Sequence, residues 1–240
     1  MNNDGALERV RVVLTRTSHP GNIGAAARAM KTMGLSQLVL VSPQSFPDPV
    51  ATARAAGADD ILESARVVDT LTEALEGTVF AAALTARRRE LAVPMKWARE
   101  AAVDVVQLAA HGDVALVFGN ETKGLSNEDV ALCHMPVKIP VSENYSSLNL
   151  GAAVQLLCYE LRMAAIDPGR APATEFEPAT HEQIEGFYVH LDRAITASGF
   201  FNPENSKRLW PRLRRLFGRI RLEKDEINIL RGMLSAFEKK

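Results

Sequence analysis

Short β-branched runs alternate with alanine-rich stretches of helical spacing through the first two-thirds of the chain, and that alternation leaves few folds open. The runs fall at 10–14, 38–41, 78–80, 114–118 and 137–139, and the helical stretches at 23–33, 96–110 and 148–166. Strands alternating with helices predict an α/β fold with a mainly parallel sheet covered on both faces. The run Val114, Ala115, Leu116, Val117 and Phe118 is apolar throughout, as a central strand buried on both sides requires. Ligands in such sheets collect at the carboxyl ends of strands. The residues to watch therefore follow Leu14, Leu84, Phe118 and Ile139.

The last third reads differently. Three prolines and a glycine between Asp167 and Pro178 stop a helix and resist a strand, so 167–178 is expected to be a linker. It separates an α/β domain at 1–166 from a small all-helical extension at 179–240. Thr180 and Gln183 have capping-box spacing ahead of Ile184, Phe187, Leu191 and Ile195. The charge is also uneven. Residues 1–166 hold 15 basic and 18 acidic side chains, whereas 207–221 carry seven cations and no acid. In that basic helix Leu209, Leu213, Leu216 and Ile220 are expected to form the packed face, with arginines such as Arg212 and Arg215 in solvent.

The net charge of −1 shows that bulk charge does not tie this chain to nucleic acid. No stretch approaches the ~20 apolar residues that span a bilayer, and the first ten residues lack an apolar signal core. The two cysteines, Cys133 and Cys158, sit among apolar neighbours with no metal-binding spacing. They are expected to be buried thiols in a reducing, cytoplasmic compartment.

Each strand is followed by a suggestive loop. After the first come His19, Pro20, Gly21, Asn22 and Gly24, then Arg28. A glycine-containing turn opening a helix suits an anion, although Asn22 alone could be a cap. The spacing of Gly21 and Gly24 is not the dinucleotide fingerprint, which disfavours a nicotinamide-dependent oxidoreductase. Arg28 interrupts an alanine-rich face and should need a partner. Thr85 and Ala86 lead into Arg87, Arg88 and Arg89, whose guanidinium forks suit phosphate oxygens. Gly119 and Gly124 bracket Glu121, a carboxylate placed to orient Asn22 or Arg28. After Ile139 and Pro140 come Ser146, Ser147 and Asn149, which could cap the next helix. His19 reads as an ordinary loop histidine.

Taken together these loops carry more weight. Asn22 with Arg28, then Phe118, Gly119, Asn120, Glu121 and Gly124, then Ile139 and Pro140 with Ser147, Leu148 and Asn149, occur in that order. The pattern resembles the SpoU class of the SPOUT methyltransferase superfamily over roughly residues 10–163. That resemblance implies a C-terminal trefoil knot in the α/β domain, a homodimer, and 2′-O-methylation of ribose in tRNA or ribosomal RNA. The arginine run and helical extension look most like members that modify cytidine or uridine at position 32 of the tRNA anticodon loop. The implied cofactor is S-adenosylmethionine, held by Thr85, Ala86, Arg87, Gly119, Ile139, Pro140, Ser147, Leu148 and Asn149, and no metal is implied. The implied catalytic group is Arg28, Asn22, Glu121, Ser147 and Asn149. RNA would meet Arg28, Arg87, Arg88, Arg89, Arg212 and Arg215. Guanidinium has a pKa above ~12, so Arg28 is expected to hold phosphate and donate toward a developing alkoxide, not to act as a base. A non-catalytic RNA-binding protein of the same fold is the remaining alternative.

Overall fold

The computed structural model describes residues 4–85, 94–142, 144–166, 177–202 and 208–238. The chain opens with α1 (Asp4–Leu7), β1 (Val10–Thr15), α2 (Pro20–Met33), β2 (Gln37–Val41), α3 (Pro49–Ala55), α4 (Asp59–Glu63), β3 (Arg66–Val68), α5 (Leu71–Leu75) and β4 (Thr78–Leu84). It continues through β5 (Lys96–Trp97), α6 (Ala98–Ala109), β6 (Asp113–Phe118), α7 (Asn127–Ala131), β7 (Met135–Lys138) and α8 (Leu150–Ile166). Helices α9 (His181–Ala197), α10 (Leu209–Ile220) and α11 (Lys224–Glu238) complete it.

The strands form one parallel sheet in the order β3-β2-β1-β6-β4-β7-β5. As the apolar run requires, β6 is central, and Val114 through Phe118 are all buried. One face of the sheet is covered by α1, α2, α6 and α8, the other by Leu71, Leu75 and Leu125 with neighbouring apolar side chains. The covering helices touch closely through small residues. A Cβ on Gly24 would lie 2.0 Å from the Ala51 carbonyl oxygen of α3, and one on Gly151 would lie 2.7 Å from Ala25. Register then sets the site. Leu14 and Leu84 both pair with Phe118, and Leu84 also pairs with Val137, so β1, β4, β6 and β7 end together at one edge.

Three features depart from the reading of the sequence. β4 runs on through Ala81, Ala82 and Ala83, because alanine, the best helix former, also fits a strand buried on both faces. β3 and β5 were not anticipated, since three and two residues give no periodicity. β7 lies between β4 and β5, which are consecutive in sequence. Residues 86–93, between β4 and β5, lie outside the described residues. Most of the expected linker, 167–176, also lies outside them. Its end is tied to the extension, because the Lys224 N–H donates to the Glu177 carbonyl at 3.0 Å and Pro178 bridges to Glu223.

The extension has its own apolar centre, built from Ile184, Phe187, Tyr188, Leu191, Leu222 and Ile227. Thr180 and Gln183 form the expected capping box. The packed face of α10 differs from the expected one. Trp210, Leu213 and Phe217 face the centre, while Leu216 and Ile220 are exposed. Arg214 lies inward, in a two-pronged pair with Glu185 at 2.7 Å and 4.4 Å above the Tyr188 ring. The guanidinium plane can stack as well as pair, which is why a cation takes a position that hydrophobic spacing assigns to leucine. Arg212 and Arg215 are exposed, as expected.

Polar contacts seal the extension to the sheet. The Gly77 N–H donates to Glu182 at 2.5 Å, and Arg221 reaches Asp104, which also holds Lys96. His134 is buried at this seam, stacked on Phe80, and its Nδ1 accepts the Ala81 N–H at 3.0 Å. Burial pushes His134 down to about 4, and a proton on Nδ1 would displace the Ala81 bond. The folded state therefore resists a proton that the unfolded chain takes up near pH 6.5. Stability should fall as pH drops from about 6.5 towards 4, by roughly 2–3 kcal/mol. Chemical denaturation across that range checks this, and His134→Phe should flatten the dependence.

Candidate functional site

The turn after β1 is where the sheet hands its geometry to chemistry. Arg16 adopts φ 50°, in the left-handed region, which costs a non-glycine residue of order 1 kcal/mol. Three contacts hold it there. Its N–H donates to Val41 at 2.7 Å, its carbonyl accepts from the Asn120 amide at 2.7 Å, and its guanidinium pairs with buried Asp129. The turn leads into α2, whose N-cap is His19, with Nδ1 accepting the Gly21 N–H at 3.0 Å. Asn22, read from sequence as a possible cap, is thereby left free for other work.

That work is visible in the contacts of Glu121. One oxygen accepts from Ser18 N–H at 3.0 Å and from the Ser18 hydroxyl at 2.8 Å. The other accepts from the Asn22 amide at 2.8 Å and from His19 N–H at 3.3 Å. The Asn22 oxygen in turn accepts from the Asn149 amide at 2.9 Å. Asn149 also caps α8, accepting the Ala152 N–H at 3.3 Å. Three loops, the first about a hundred residues from the other two, thus share one hydrogen-bonded chain. Burial alone would raise the Glu121 pKa, but the Ser18 and Asn22 donors outweigh it and hold the carboxyl below its usual range.

Asn120 keeps the Glu121 loop in shape. Its side-chain oxygen accepts the N–H groups of Thr122 and Lys123 at 2.9 and 3.2 Å, while its carbonyl accepts the Gly124 N–H at 2.8 Å. Gly119 is needed because this loop folds back on itself. A Cβ there would lie 2.2 Å from the Gly124 carbonyl carbon and the Leu125 nitrogen. Gly124 has φ 67°. Both glycines thus serve closure of the loop.

Beside this network lies a cavity of about 340 Å³ at the ends of β4, β6 and β7. Its apolar wall includes Leu84, Phe118, Val137, Ile139 and Leu148, and its polar edge Thr85, Glu121, Ser146 and Ser147. The size and the flat apolar lining with few charges suit a nucleoside-bearing ligand. Of the expected cofactor residues, Thr85, Gly119, Ile139, Ser147 and Leu148 line it. Pro140 is exposed outside the wall, and Asn149 reaches the site through Asn22 instead. Ala86, Arg87, Arg88 and Arg89 lie outside the described residues.

Arg28 departs most from expectation. It is exposed on α2, and its guanidinium makes no hydrogen bond or ion pair with any described residue. Glu121 does not orient it; the carboxylate is already occupied by Ser18, His19 and Asn22. Ser18 and Asn120 are functional supports that sequence reasoning passed over. Their signal was weak, since both are small polar residues in turns where such residues are ordinary. Among the described residues no group of three His, Cys, Asp or Glu side chains is placed to hold a metal ion.

A parallel α/β domain with a nucleoside-sized cavity at its carboxyl edge, joined to a helical module, is a common framework for enzymes acting on large substrates. Comparison with known proteins narrows this. Residues 9–159 match the model of the SpoU rRNA Methylase family, and residues 182–240 match that of the tRNA methyltransferase TrmJ C-terminal domain. The chain belongs to the SpoU methylase family. It is 50% identical over 244 residues to the tRNA (cytidine/uridine/adenosine-2'-O-)-methyltransferase TrmJ of Pseudomonas aeruginosa, covering 97% of this chain and 95% of that one. It is 48% identical to the tRNA (cytidine/uridine-2'-O-)-methyltransferase TrmJ of Sodalis glossinidius, covering 97% and 92%. The crystal structure of TrmJ from Z. mobilis superposes with a TM-score of 0.82 at 35% identity, covering 95% of this chain and 98% of that one. The SpoU methyltransferase AviRb of Streptomyces viridochromogenes, solved with AdoMet, matches 66% of this chain and 58% of its own at 26% identity and TM-score 0.53.

The network makes a stability prediction. Glu121→Gln replaces an acceptor with a donor facing N–H groups, which should cost on the order of 1–3 kcal/mol. Gly119→Ala should force the loop open and reduce binding to the cavity by about tenfold or more, with a smaller loss of global stability. Thermal melting together with cofactor titration separates the two effects.

Proposed function

We propose that this chain transfers a methyl group from S-adenosylmethionine to the 2′-hydroxyl of a cytidine or uridine ribose in tRNA, at position 32 of the anticodon loop. The observation that carries this is the Glu121–Asn22–Asn149 chain lying beside a nucleoside-sized cavity, in a protein half identical along its length to tRNA 2'-O-methyltransferases. The match of 182–240 to a tRNA methyltransferase domain favours tRNA over ribosomal RNA.

The cofactor supplies an electrophilic methyl on a sulfonium. Everything else falls to this chain. Leu84, Phe118, Ile139 and Leu148 give the adenosyl group an apolar wall, and Ser147 and Thr85 offer polar groups at its edge. The ribose hydroxyl is a weak nucleophile and must be held in line. Positioning of that kind is worth up to ~7–11 kcal/mol of barrier. Asn22, fixed by Glu121 and Asn149, is a rigid amide available to hold the ribose. Arg28 stays cationic and donates toward the oxygen as negative charge develops, while the methyl–sulfur bond breaks and the hydroxyl proton passes to solvent water. The arginine run at 87–89 and the exposed Arg212 and Arg215 offer phosphate contacts.

The reading includes a homodimer. On α8, Leu156, Tyr159, Met163 and Ile166 are all exposed and follow helical spacing, which places an apolar stripe beside α2. Pairing of two copies there supports presentation of an otherwise unpartnered Arg28 to the neighbouring cavity. Both cysteines are free thiols, and no described helix is long and apolar enough to cross a membrane, in keeping with a cytoplasmic enzyme.

Methyl transfer from labelled cofactor to unmodified tRNA, with the product ribose mapped, tests the reaction. Arg28→Ala should lower kcat at least ~100-fold while cofactor affinity changes less than about twofold. Met163→Asp should give monomers by light scattering and abolish transfer; an active monomer would remove the dimer from the mechanism.

A further inference from the structure

Lys123 has no role in the scheme above, yet it is the single cation among the described residues lining the cavity. Its backbone is fixed, because its N–H donates to the Asn120 side chain at 3.2 Å and the next residue, Gly124, turns the chain at φ 67°. Its side chain is exposed and makes no hydrogen bond or ion pair with any described residue. Glu121, two residues earlier, is the sole carboxylate among the described lining residues, and four donors from Ser18, His19 and Asn22 already occupy it. The ammonium is therefore exposed at the cavity mouth, with no anion among the described residues to satisfy it.

We infer that Lys123 binds a backbone phosphate of the RNA substrate next to the ribose held in the cavity. The inference rests on the function proposed above. A phosphodiester lies one bond beyond each side of the reacting sugar, so any ribose placed at Asn22 brings an anion to this rim. A compact ammonium on a flexible stem suits a point contact with phosphate and carries no base preference. The loop that turns Glu121 towards Asn22 thus also presents the cation, so the network that positions the ribose and the group that anchors its phosphate share one backbone. The competing anion is the carboxylate of the cofactor itself.

The full-length protein distinguishes the two. Binding of unmodified tRNA is measured across a salt series, and cofactor binding is measured by calorimetry without RNA. Lys123→Ala should weaken tRNA binding about 5–10-fold at low salt and lower the slope of log affinity against log salt by about one. Lys123→Arg should restore most of the loss, kcat at saturating tRNA should change little, and cofactor affinity should stay within about twofold. An unchanged salt slope overturns the inference. So does a loss of cofactor affinity with tRNA binding intact, which would assign Lys123 to the cofactor carboxylate. Failure of the broader reading looks different: the wild-type protein would then transfer no methyl to tRNA.

Discussion

One carboxylate holds the site together. Glu121 gathers two backbone N–H groups, a hydroxyl and an amide from the turn after β1, and through Asn22 it reaches the start of α8. Half-burial makes these bonds stronger than they would be in water and makes any unpaired member costly. The sheet brings their roots together, and the carboxylate sets how their tips face one another.

The sheet does its part through register. β1, β4, β6 and β7 end level, so the loops leave one edge at similar height. The strained Arg16 turn then bends the first loop across β6, and Asn120 clamps the second loop to it through the Arg16 carbonyl. Gly119 permits the tight fold-back that aims Glu121 outward from the sheet. Each device is local, but all act on the same few ångströms of backbone. The cost of one left-handed residue is offset by three contacts, which is how strain comes to be retained at such a place.

Much of this was legible beforehand, for identifiable reasons. The central strand announced itself because five apolar residues in a row have few other homes. The Asn22, Glu121 and Asn149 loops could be picked out because each follows a strand end. What stayed hidden depended on partners. The alanines of β4 look helical until both faces are seen to be covered. Leu216 looks like core until Arg214, stacked on Tyr188 and paired with Glu185, takes the inward position. Gly119 could be singled out, but not that its neighbour is its own loop. Nor could spacing reveal that Glu121 would be saturated by Ser18 and His19 and leave Arg28 alone.

That last point changes how the site is to be understood. In a self-contained active site the cation that meets a developing alkoxide would be held by a nearby anion, since a free guanidinium wastes part of its rate advantage on reorientation. Here the carboxylate is spent on fixing Asn22, and Arg28 stands exposed more than a helical turn away, on a helix packed beside the apolar stripe of α8. The fixed Asn22 amide and the exposed Arg28 guanidinium lie on different sides of α2. On the function proposed above, a single copy would arrange the ribose more completely than it arranges the charge. An enzyme built this way gains from a second surface that restrains the guanidinium, whether RNA phosphate or another copy of the chain. Assembly would then act as part of catalysis rather than as a means of stabilising the fold.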